Sequence, residues 1–485
     1  MMFKLILKIV TTSMLASISF SAQAELPVSV ADALKKVGIL QSSVTIFVQP
    51  VDAATPSISH NADKSMNPAS VMKLVTTHAA LDLLTPNYRW KTEIYKDGSV
   101  QNGSLNGNLI IKGYGDPSFK AQEFWRLLMS LQQAGIKQIN GDFVIDKSHF
   151  AKNVGNRKTF DDETWRAYNA EPSAFLVNGR NTSFKFAATD FGVNVTQEFE
   201  LSEVQIVNNM KLSAGACGEW RSRFGYTVKT LESKTLDSKS VVTFNGAFSP
   251  DCGERYLELS VFDDEKYAFY TFKKLWKELG GKFNGKLKVQ DVPMGAALLT
   301  QTKILEQVSD PLGYVIRDIN KWSNNLMARQ LLLTIAAEKT SLPATEAKGE
   351  AAIKTWLSNK GQKFDELVVE NGSGLSRTER ISAQHLGQLL VGAYHSPIMP
   401  ELLASLPILA QDGTIKKRLN GSQVDSRAHL KTGSLDGVSA IAGYVLDSQN
   451  KRHALVMLIN HANAGASKNA QDALIEWTFQ NNSRQ

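Results

Sequence analysis

Three short motifs, separated by long stretches of chain, constrain this sequence more than any other feature. They are Ser70-x-x-Lys73, Ser323-x-Asn325 and a Lys-Thr-Gly triplet that begins at Lys431. Each contributes hydroxyl, amine or amide groups, and such groups act on one reaction only when the fold brings them to one place. For the three motifs to act together, the second and third must fold back to the position of Ser70 and Lys73. The 485 residues of the chain are enough to bury the cores that such a fold needs.

Ser70 and Lys73 form a candidate nucleophile and base. A serine hydroxyl is a poor nucleophile unless a base lies beside it. The two residues begin the segment SVMKLVTTHAALDLL, which we predict to be a buried helix, and their spacing puts both side chains on one face. Burial should lower the pKa of Lys73 and make its amine a usable base. The alternative is a helix cap followed by a solvated lysine, and a second Ser-x-x-Lys at Ser448 shows that the motif also arises by chance.

The other two motifs follow in a fixed order. The run KTGS at 431–434 lies just before a predicted terminal hairpin, GVSAIAGYVL and HALVMLIN, which places it at a strand edge. There a lysine and hydroxyl groups can bind a carboxylate, while the glycine lets the backbone approach closely. The run SNN at 323–325 lies between two helical segments. The alternatives are an ordinary strand start for the first run and a helix N-cap at Ser323 for the second.

The ordered triple is much more specific than its parts. Ser-x-x-Lys, Ser-x-Asn and Lys-Thr-Gly in this order are typical of penicillin-binding proteins and serine β-lactamases. The triple therefore predicts an enzyme that transfers an acyl group to an active serine.

The first 24 residues are typical of an export signal. Lys4 and Lys8 supply positive charge, an apolar stretch follows, and a small-x-small cleavage site ends at Ala24. The apolar stretch is a poor membrane anchor, because an anchor needs roughly 20 apolar residues. We therefore expect a periplasmic or secreted protein that is cleaved after Ala24. Membrane contact would be at most peripheral, through Trp477 and Phe479, and packing in the core is the favoured interpretation of these two side chains.

Composition excludes several classes of protein. Hydrophobic residues make up 43% and charged residues 21%, which excludes a disordered polymer and a multi-span membrane protein. The net charge of +7 is a mild excess that does not indicate a nucleic-acid partner. The histidines form no metal-binding pattern, and we expect neither a metal nor a cofactor. An exported protein can join its two cysteines, Cys217 and Cys252, in a disulfide, and two free buried thiols are the alternative.

The sequence resembles the D-alanyl-D-alanine carboxypeptidase/endopeptidase family, the class C low-molecular-mass penicillin-binding proteins. The resemblance covers nearly the whole chain after residue 24. It is carried by the segments NPASVMKLVTTHAAL, GYGDPSF, SNNLMARQ, ENGSGLSR, QDGTIKKRL and HLKTGSLDGVSAIAGY. The long gap between Lys73 and Ser323 is similar to the two inserted domains of this family, one nested in the other. A compact β-lactamase leaves far less chain there.

The resemblance implies an α+β fold, with a penicillin-binding-protein/β-lactamase-like transpeptidase domain. Its core would be a five-stranded antiparallel sheet with flanking helices. The sequence pattern changes near the corresponding limits, and long helices are predicted after residue 297, beginning with the segment ILEQVSDPLGYVIRDINK. The expected limits are 1–24 for the signal peptide, 25–87 and 297–485 for the catalytic domain, 88–174 and 259–296 for inserted domain II, and 175–258 for the nested, β-rich domain III.

The resemblance also implies roles for the motif residues. Ser70 attacks the scissile carbonyl of a peptidoglycan stem peptide that ends in D-Ala-D-Ala, or of a cross-link between stems, and forms an acyl-enzyme. Lys73 takes the serine proton. Ser323, helped by Lys431, passes a proton to the leaving amine, and Asn325 holds a substrate amide. β-Lactam antibiotics are implied as covalent inhibitors.

Further residues are implied to bind the substrate. The substrate carboxylate meets the strand of the third motif, at Thr432, Gly433 and Ser434. The backbone N–H groups of Ser70 and Ser434 would form the oxyanion hole. Asp161 or Asp162 resembles the acid that the family offers to the free amine of the stem. A solvated acidic turn is the alternative there.

Two other functions fit parts of the same pattern. One is a β-lactamase-like serine hydrolase, which needs the same serine. The other is a catalytically silent protein that binds the cell wall, although binding alone would not require Lys73. The sequence leaves the oligomeric state open, a homodimer included.

Overall fold

The computed structural model describes part of the chain, namely residues 25–155, 161, 163–231, 238–291 and 301–480. The predicted export signal at 1–24 and the candidate acid Asp162 lie outside the described residues. Within the described ranges, no helix combines the length and the apolar character that crossing a bilayer requires.

Most of the helices lie near the two ends of the described chain. In chain order they are α1 (Val28–Lys36), α2 (Lys73–Leu84), α3 (Ala121–Gln133), α4 (Asp264–Glu278), α5 (Leu312–Lys321), α6 (Asn325–Lys339), α7 (Glu346–Asn359), α8 (Ala383–Tyr394), α9 (Met399–Ser405) and α10 (Lys468–Gln480). Thus α1 and α2 precede the long middle segment, α5 to α10 follow it, and α3 and α4 lie within it.

The strands are concentrated in that middle segment and at the end of the chain. In chain order they are β1 (Val44–Pro50), β2 (Ile58–His60), β3 (Ser65–Met66), β4 (Lys91–Lys96), β5 (Ser99–Gln101), β6 (Ser104–Asn106), β7 (Leu109–Gly113), β8 (Gln138–Ile139), β9 (Phe143–Asp146), β10 (Thr182–Thr189), β11 (Gly192–Gln197), β12 (Val204–Leu212), β13 (Phe224–Leu231), β14 (Lys239–Phe248), β15 (Arg255–Leu259), β16 (Lys282–Phe283), β17 (Leu287–Val289), β18 (Thr302–Val308), β19 (Ile381–Ser382), β20 (Ala428–Leu435), β21 (Val438–Leu446) and β22 (Arg452–Asn460).

One five-stranded sheet joins the first strands of the chain to the last. Its order is β2-β1-β22-β21-β20, and every neighbouring pair is antiparallel, which confirms the predicted sheet. Successive residues of a strand point to opposite faces. Ala442 and Val456 accordingly contact the apolar cluster that includes α2, α6 and α8, whereas Ile441 and Leu455 contact the cluster of α1 and α10. Both faces are covered, so the central strands are apolar throughout.

Helix α2 is buried on almost every side. Leu74, Val75 and Leu81 are each no more than 1% exposed, in a cluster with residues of α5, α6 and α7. This packing is the physical reason that the sequence of α2 has no polar face. The packing also removes Lys73, its first residue, from water.

The middle segment forms four further sheets around α3 and α4. Their orders are β17-β9-β7-β4-β18, β16-β8-β6-β5, β11-β10-β15 and β12-β14-β13. A disulfide joins Cys217 to Cys252 in this segment. Buried side chains from both predicted inserted domains, such as Phe143 and Phe244, belong to one hydrophobic cluster. The limits at 175 and 258 stay predictions, and the described residues on either side of them share a core.

The middle segment contacts the helical part of the chain through Gln330, a fully buried residue of α6. Its amide oxygen accepts a hydrogen bond from the Ser173 N–H at 2.9 Å, and its amide nitrogen donates to the Ser173 carbonyl at 2.9 Å and to the Gly115 carbonyl at 3.4 Å. A buried amide that satisfies backbone groups in this way fixes the relative position of the segments that it joins.

One predicted helix is wrong. The segment ILEQV at 304–308 was expected to begin a long helix, but Thr302–Val308 is strand β18 and pairs antiparallel with β4. Short apolar runs do not distinguish a helix from a strand by themselves, and here the free edge of β4 decides between them. Helix α5 starts only after Pro311. We therefore propose that the inserted segment ends after Val308 rather than at residue 296.

The shared core of the middle segment predicts how two phenylalanines of one hairpin should differ. Phe184 of β10 is fully buried, whereas Phe191 at the tip between β10 and β11 is fully exposed. We expect Phe184→Ala to lower the free energy of unfolding by about 3–5 kcal/mol, because it leaves a cavity in the core. Phe191→Ala should change it by less than about 0.5 kcal/mol. Urea unfolding followed by tryptophan fluorescence checks both, and equal losses would contradict the described packing.

Candidate active site

The turn before α2 presents Ser70. Residues Ala69–Met72 form a short 3-10 turn that leads into the helix. Ala69 has φ +46°, in the left-handed region that residues other than glycine rarely adopt. The turn is fixed by Asn67, whose side-chain oxygen accepts from the Ala69 N–H at 2.9 Å and whose side-chain nitrogen donates to the Ser376 carbonyl at 2.8 Å. A strained turn that its neighbours hold in place is common at functional sites.

Lys73 lies beside this serine and is fully buried. Its amine donates to Ser70 Oγ at 3.0 Å, to Asn325 Oδ1 at 2.6 Å and to the carbonyl oxygen of Ser373. Burial and, after it, the charge of Lys431 lower the pKa of Lys73 well below its ordinary value, while Glu379 opposes the shift. The arrangement can therefore hold an uncharged amine against a hydroxyl, as a serine nucleophile requires.

Ser323 and Asn325 reach the site from the junction of α5 and α6. Ser323 has φ +57°, so the chain turns sharply there. Asn324, and not Ser323, caps α6, because its side-chain oxygen accepts from the Met327 N–H at 3.0 Å. The N-cap alternative for Ser323 is thus wrong. The hydroxyl of Ser323 instead accepts a hydrogen bond from Lys431, and Asn325 faces Lys73.

Lys431 lies on β20, the edge strand of the central sheet, and is also fully buried. Its amine donates to Ser323 Oγ at 2.9 Å and to the Thr432 carbonyl at 2.6 Å. Burial lowers the pKa of Lys431 to about 7. Thr432 Oγ1 donates to Thr414 Oγ1 at 2.8 Å, and Ser434 is exposed further along the strand. The strand thus offers an amine that can give or take a proton near neutral pH, and hydroxyl groups at the surface.

Gly433 allows β20 to pass directly over the Ser70 turn. A Cβ atom at this position would lie 2.6 Å from the carbonyl oxygen of Pro68 and 2.9 Å from the backbone nitrogen of Ser70. Both contacts are with backbone, which cannot move aside as a flexible side chain can. The backbone of the third motif and the N–H of the serine are therefore neighbours, as an oxyanion hole formed by Ser70 and Ser434 would need.

The loop ENGSGLSR at 370–377, one of the segments that carry the family resemblance, forms another wall of the site. A Cβ atom at Gly374 would lie 1.9 Å from the Ala69 carbonyl oxygen and 2.6 Å from the Ser70 nitrogen. The loop also supplies the Ser373 carbonyl that accepts from Lys73. Sequence reasoning missed this carbonyl, since a backbone oxygen carries no residue signature. It also missed Asn67 and Glu379, and the loop itself was indicated only by the resemblance of ENGSGLSR to a family segment.

Asp161 lies outside this cluster and is tied to an adjoining cavity. It accepts hydrogen bonds from Tyr168 Oη at 2.7 Å and from Asn169 Nδ2 at 2.6 Å. Burial raises the pKa of Asp161, but these bonds outweigh it and hold the pKa below its ordinary value. Tyr168 lines a cavity of about 630 Å³ together with Trp322 and Ser323. Asp161 therefore contacts, through Tyr168, the cavity that Ser323 also lines, whereas Asp162 is outside the described residues.

The site contains side chains suited to acid, base and nucleophilic chemistry. Among the described residues, no group of three or more histidine, cysteine, aspartate or glutamate side chains is arranged to hold a metal ion. Lys73 donates to Ser70 Oγ and Lys431 donates to Ser323 Oγ, and the charge of Lys431 disfavours the charged form of Lys73. In this arrangement Ser70 can attack a carbonyl carbon and Ser323 can protonate a leaving group.

Comparisons with known proteins agree with this geometry. A D-alanyl-D-alanine carboxypeptidase, DacB, of Haemophilus influenzae is 27% identical over 477 residues, covering 96% of this chain and 95% of that protein. The crystal structure of penicillin-binding protein 4 from the same organism superposes with a TM-score of 0.73 at 22% identity, covering 93% of this chain and 100% of that one. It has also been solved in complex with a β-lactam.

A more distant structure has the same fold. It is a predatory endopeptidase from Bdellovibrio bacteriovorus acylated by penicillin G, with a TM-score of 0.50 at 16% identity, covering 90% of this chain and 92% of that one. The family model described as D-Ala-D-Ala carboxypeptidase 3 (S13) matches residues 26–481. With three motifs that converge on one serine and a family match over almost its whole described length, the chain belongs to the D-Ala-D-Ala carboxypeptidase 3 (S13) family of serine peptidases.

Proposed function

We propose that this protein is a serine D-Ala-D-Ala carboxypeptidase and D,D-endopeptidase that acts on peptidoglycan stem peptides through an acyl-enzyme at Ser70. One observation carries the proposal: the buried amine of Lys73 lies 3.0 Å from Ser70 Oγ, and the buried amine of Lys431 lies 2.9 Å from Ser323 Oγ. A base for the nucleophile and a separate proton donor for the leaving group are what peptide-bond cleavage by a serine requires.

Acylation begins with uncharged Lys73. Its nitrogen takes the proton of Ser70 as the serine oxygen forms a bond to the scissile carbonyl carbon. The resulting ammonium is held by Asn325 Oδ1 and the Ser373 carbonyl, both already within hydrogen-bonding distance of the nitrogen. The backbone N–H groups of Ser70 and Ser434 stabilise the negative carbonyl oxygen.

The leaving group departs on the other side of the site. The C–N bond breaks as the nitrogen of the leaving D-alanine, or of the cross-linked stem, takes the proton of Ser323, which Lys431 replaces. With a pKa near 7, the Lys431 ammonium can give that proton and recover it from solvent. Thr432, Gly433 and Ser434 bind the terminal carboxylate. The Lys73 ammonium then releases its proton to solvent. A water molecule attacks the acyl carbon as Lys73 takes its proton, and the acyl C–O bond breaks as the Ser70 oxygen takes that proton back from Lys73.

Recognition of the stem amine is the part of the proposal that the cavity supports. An ionised Asp161 would attract the free ammonium of the diamino acid, and its bond to Tyr168 connects it to the cavity that reaches Ser323. Asp162 remains the alternative acid. We further propose a periplasmic or secreted location, β-lactams as covalent inhibitors at Ser70, and a homodimer as one assembly to be tested.

The first prediction concerns the nucleophile. We expect Ser70→Ala to lower the release of D-Ala from a stem pentapeptide by at least about 10⁴-fold, because no other group replaces the attacking oxygen. Labelling by a fluorescent penicillin should be lost as well. Ser448→Ala is the matched control, since Ser448 begins the second Ser-x-x-Lys of the chain and lies near the hairpin of β21 and β22.

Mass spectrometry of purified muropeptides separates the two activities, because loss of one D-Ala and opening of a cross-linked dimer give different masses. Unchanged D-Ala release in Ser70→Ala would refute the catalytic assignment. Rapid turnover of penicillin by the wild-type enzyme, with release of the hydrolysed label, would favour a β-lactamase-like hydrolase instead.

The second prediction concerns pH. Acylation requires uncharged Lys73, so it increases as pH rises through the pKa of Lys73. It also requires protonated Lys431, so it decreases as pH rises through about 7. Lys431→Arg keeps a charge at all working pH values. We expect this variant to acylate more slowly but to lose the alkaline decrease, as measured by penicillin acylation rates against pH. An alkaline limb at the wild-type position would contradict the role of Lys431.

The third prediction tests the close approach of β20. Gly433→Ala would force the edge strand away from the Ser70 turn, because its Cβ would meet the Pro68 oxygen and the Ser70 nitrogen. We expect acylation to be slower by about 10²-fold, the usual cost of an ångström of misplacement. Gly465→Ala is the control, since a Cβ there has nothing within 4 Å. Equal acylation rates in the two variants would show that the contact is unimportant.

A further inference from the structure

Glu379 is a fully buried carboxylate that the proposed mechanism does not use. Its Oε1 accepts hydrogen bonds from three successive backbone N–H groups, those of Glu370 at 3.1 Å, Asn371 at 2.9 Å and Gly372 at 2.8 Å. Burying a carboxylate is costly unless such donors compensate it. The three bonds therefore fix the start of the loop that walls the active site.

That loop contacts both the base and the nucleophile. Gly372 accepts a hydrogen bond from Thr76 Oγ1 at 2.7 Å, which ties the loop to α2 one turn beyond Lys73. The next residue, Ser373, directs its carbonyl at the Lys73 amine, and Gly374 lies against the backbone of Ser70. A change in the position of the loop would be felt by both catalytic groups.

The surroundings of Glu379 act on its charge in opposite directions. Oε2 is buried and has no hydrogen-bond partner among the described residues. The three N–H donors on Oε1 are what stabilises an ionised carboxylate in this buried place. Burial raises the pKa of Glu379, and the N–H donors and Lys73 oppose that rise.

The charges around Lys73 come from two directions. Lys431 on β20 disfavours the ammonium form of Lys73, and Glu379 behind the loop favours it. The other acid of the loop, Glu370, is occupied by the hydroxyl groups of Ser376 and Thr378. Arg377 and Arg380, on either side of this turn, donate to the backbone carbonyls of Asp436, Arg377 and Glu379.

We propose that Glu379 is a positioning residue for the base: it holds the loop that directs the Ser373 carbonyl at Lys73, and it supplies the negative charge that Lys73 faces while it carries the proton of Ser70. The inference rests on the proposed function, because it assumes that Lys73 is the base. Among the described residues the Glu379 carboxylate bonds to the backbone of the loop and not to Ser70 or Lys73, so it acts through the loop and through its charge.

The test is the pH dependence of acylation in Glu379→Gln, which removes the charge but keeps an oxygen that can accept from the loop. Without the negative charge, Lys73 loses its proton more readily, so the acidic limb should move to lower pH by about one unit, a tenfold change in proton affinity. The rate on the plateau should fall about tenfold, since the protonated base is less stabilised by the same amount. Single-turnover acylation by a fluorescent penicillin measures both.

Glu366→Gln is the matched control. Like Glu379, Glu366 is a carboxylate that binds a neighbouring segment: it accepts from the Ser382 N–H at 2.9 Å and contacts His385 Nδ1 at 2.7 Å. Unlike Glu379, it is not among the charges that act on Lys73. The acidic limb of the acylation profile of the Glu366→Gln enzyme should stay at the wild-type position. A slower Glu379→Gln enzyme with an unmoved acidic limb would make Glu379 a structural carboxylate only and overturn the proposal.

Glu379→Asp provides a second route if the glutamine variant does not fold. It keeps the charge but shortens the side chain, so we expect slower acylation with the acidic limb near its wild-type position. A wild-type rate in Glu379→Asp would overturn the proposal too. Acylation that survives in Ser70→Ala would refute the proposed function itself, whereas a normal Glu379→Gln enzyme beside an inactive Ser70→Ala enzyme would refute only this inference.

Discussion

The burial of one amine is the constraint on which this structure depends. Lys73 is fully buried, and among the described residues its amine donates to the Ser70 hydroxyl, the Asn325 amide oxygen and the Ser373 carbonyl. Because an ammonium group in such a place is costly, the proposed mechanism starts from the uncharged amine, and three acceptors are in place for the moment when it gains a proton. Two of the three acceptors come from segments 252 and 300 residues away along the chain, so the site exists only in the assembled fold.

The architecture serves that assembly. Helix α2 is packed on all sides and fixes the first motif, the junction of α5 and α6 brings the second, and the edge strand of the central sheet brings the third. The long middle segment forms its own core. It is tied through Gln330 to α6, the helix that begins with Asn325. An insertion of this size is therefore compatible with a site that needs its parts placed to within a few tenths of an ångström.

Much of this could be predicted from the sequence, because the relevant signals are local. The buried helix, the terminal hairpin and the order of the three motifs each follow from periodicity or spacing, and the five-stranded sheet followed from the resemblance. The strand at Thr302–Val308 could not be predicted, since only the free edge of β4 decides its conformation. Asn324, rather than Ser323, caps α6 for a similar reason: the neighbour Lys431 engages Ser323. Glu379 and the Ser373 carbonyl act through backbone contacts, which leave no pattern in the residue types.

The backbone nitrogen of Ser70 lies between two glycines that approach it from different segments, Gly374 in the loop and Gly433 on the edge strand. Neither position has room for even a methyl group, so no substitution at either can reshape the pocket gradually. Selection for escape from an antibiotic could not act through these two residues without disabling turnover of the natural peptide. Room for adaptive change lies instead in the adjoining cavity, where side chains such as those of Tyr168 and Trp322 form the wall.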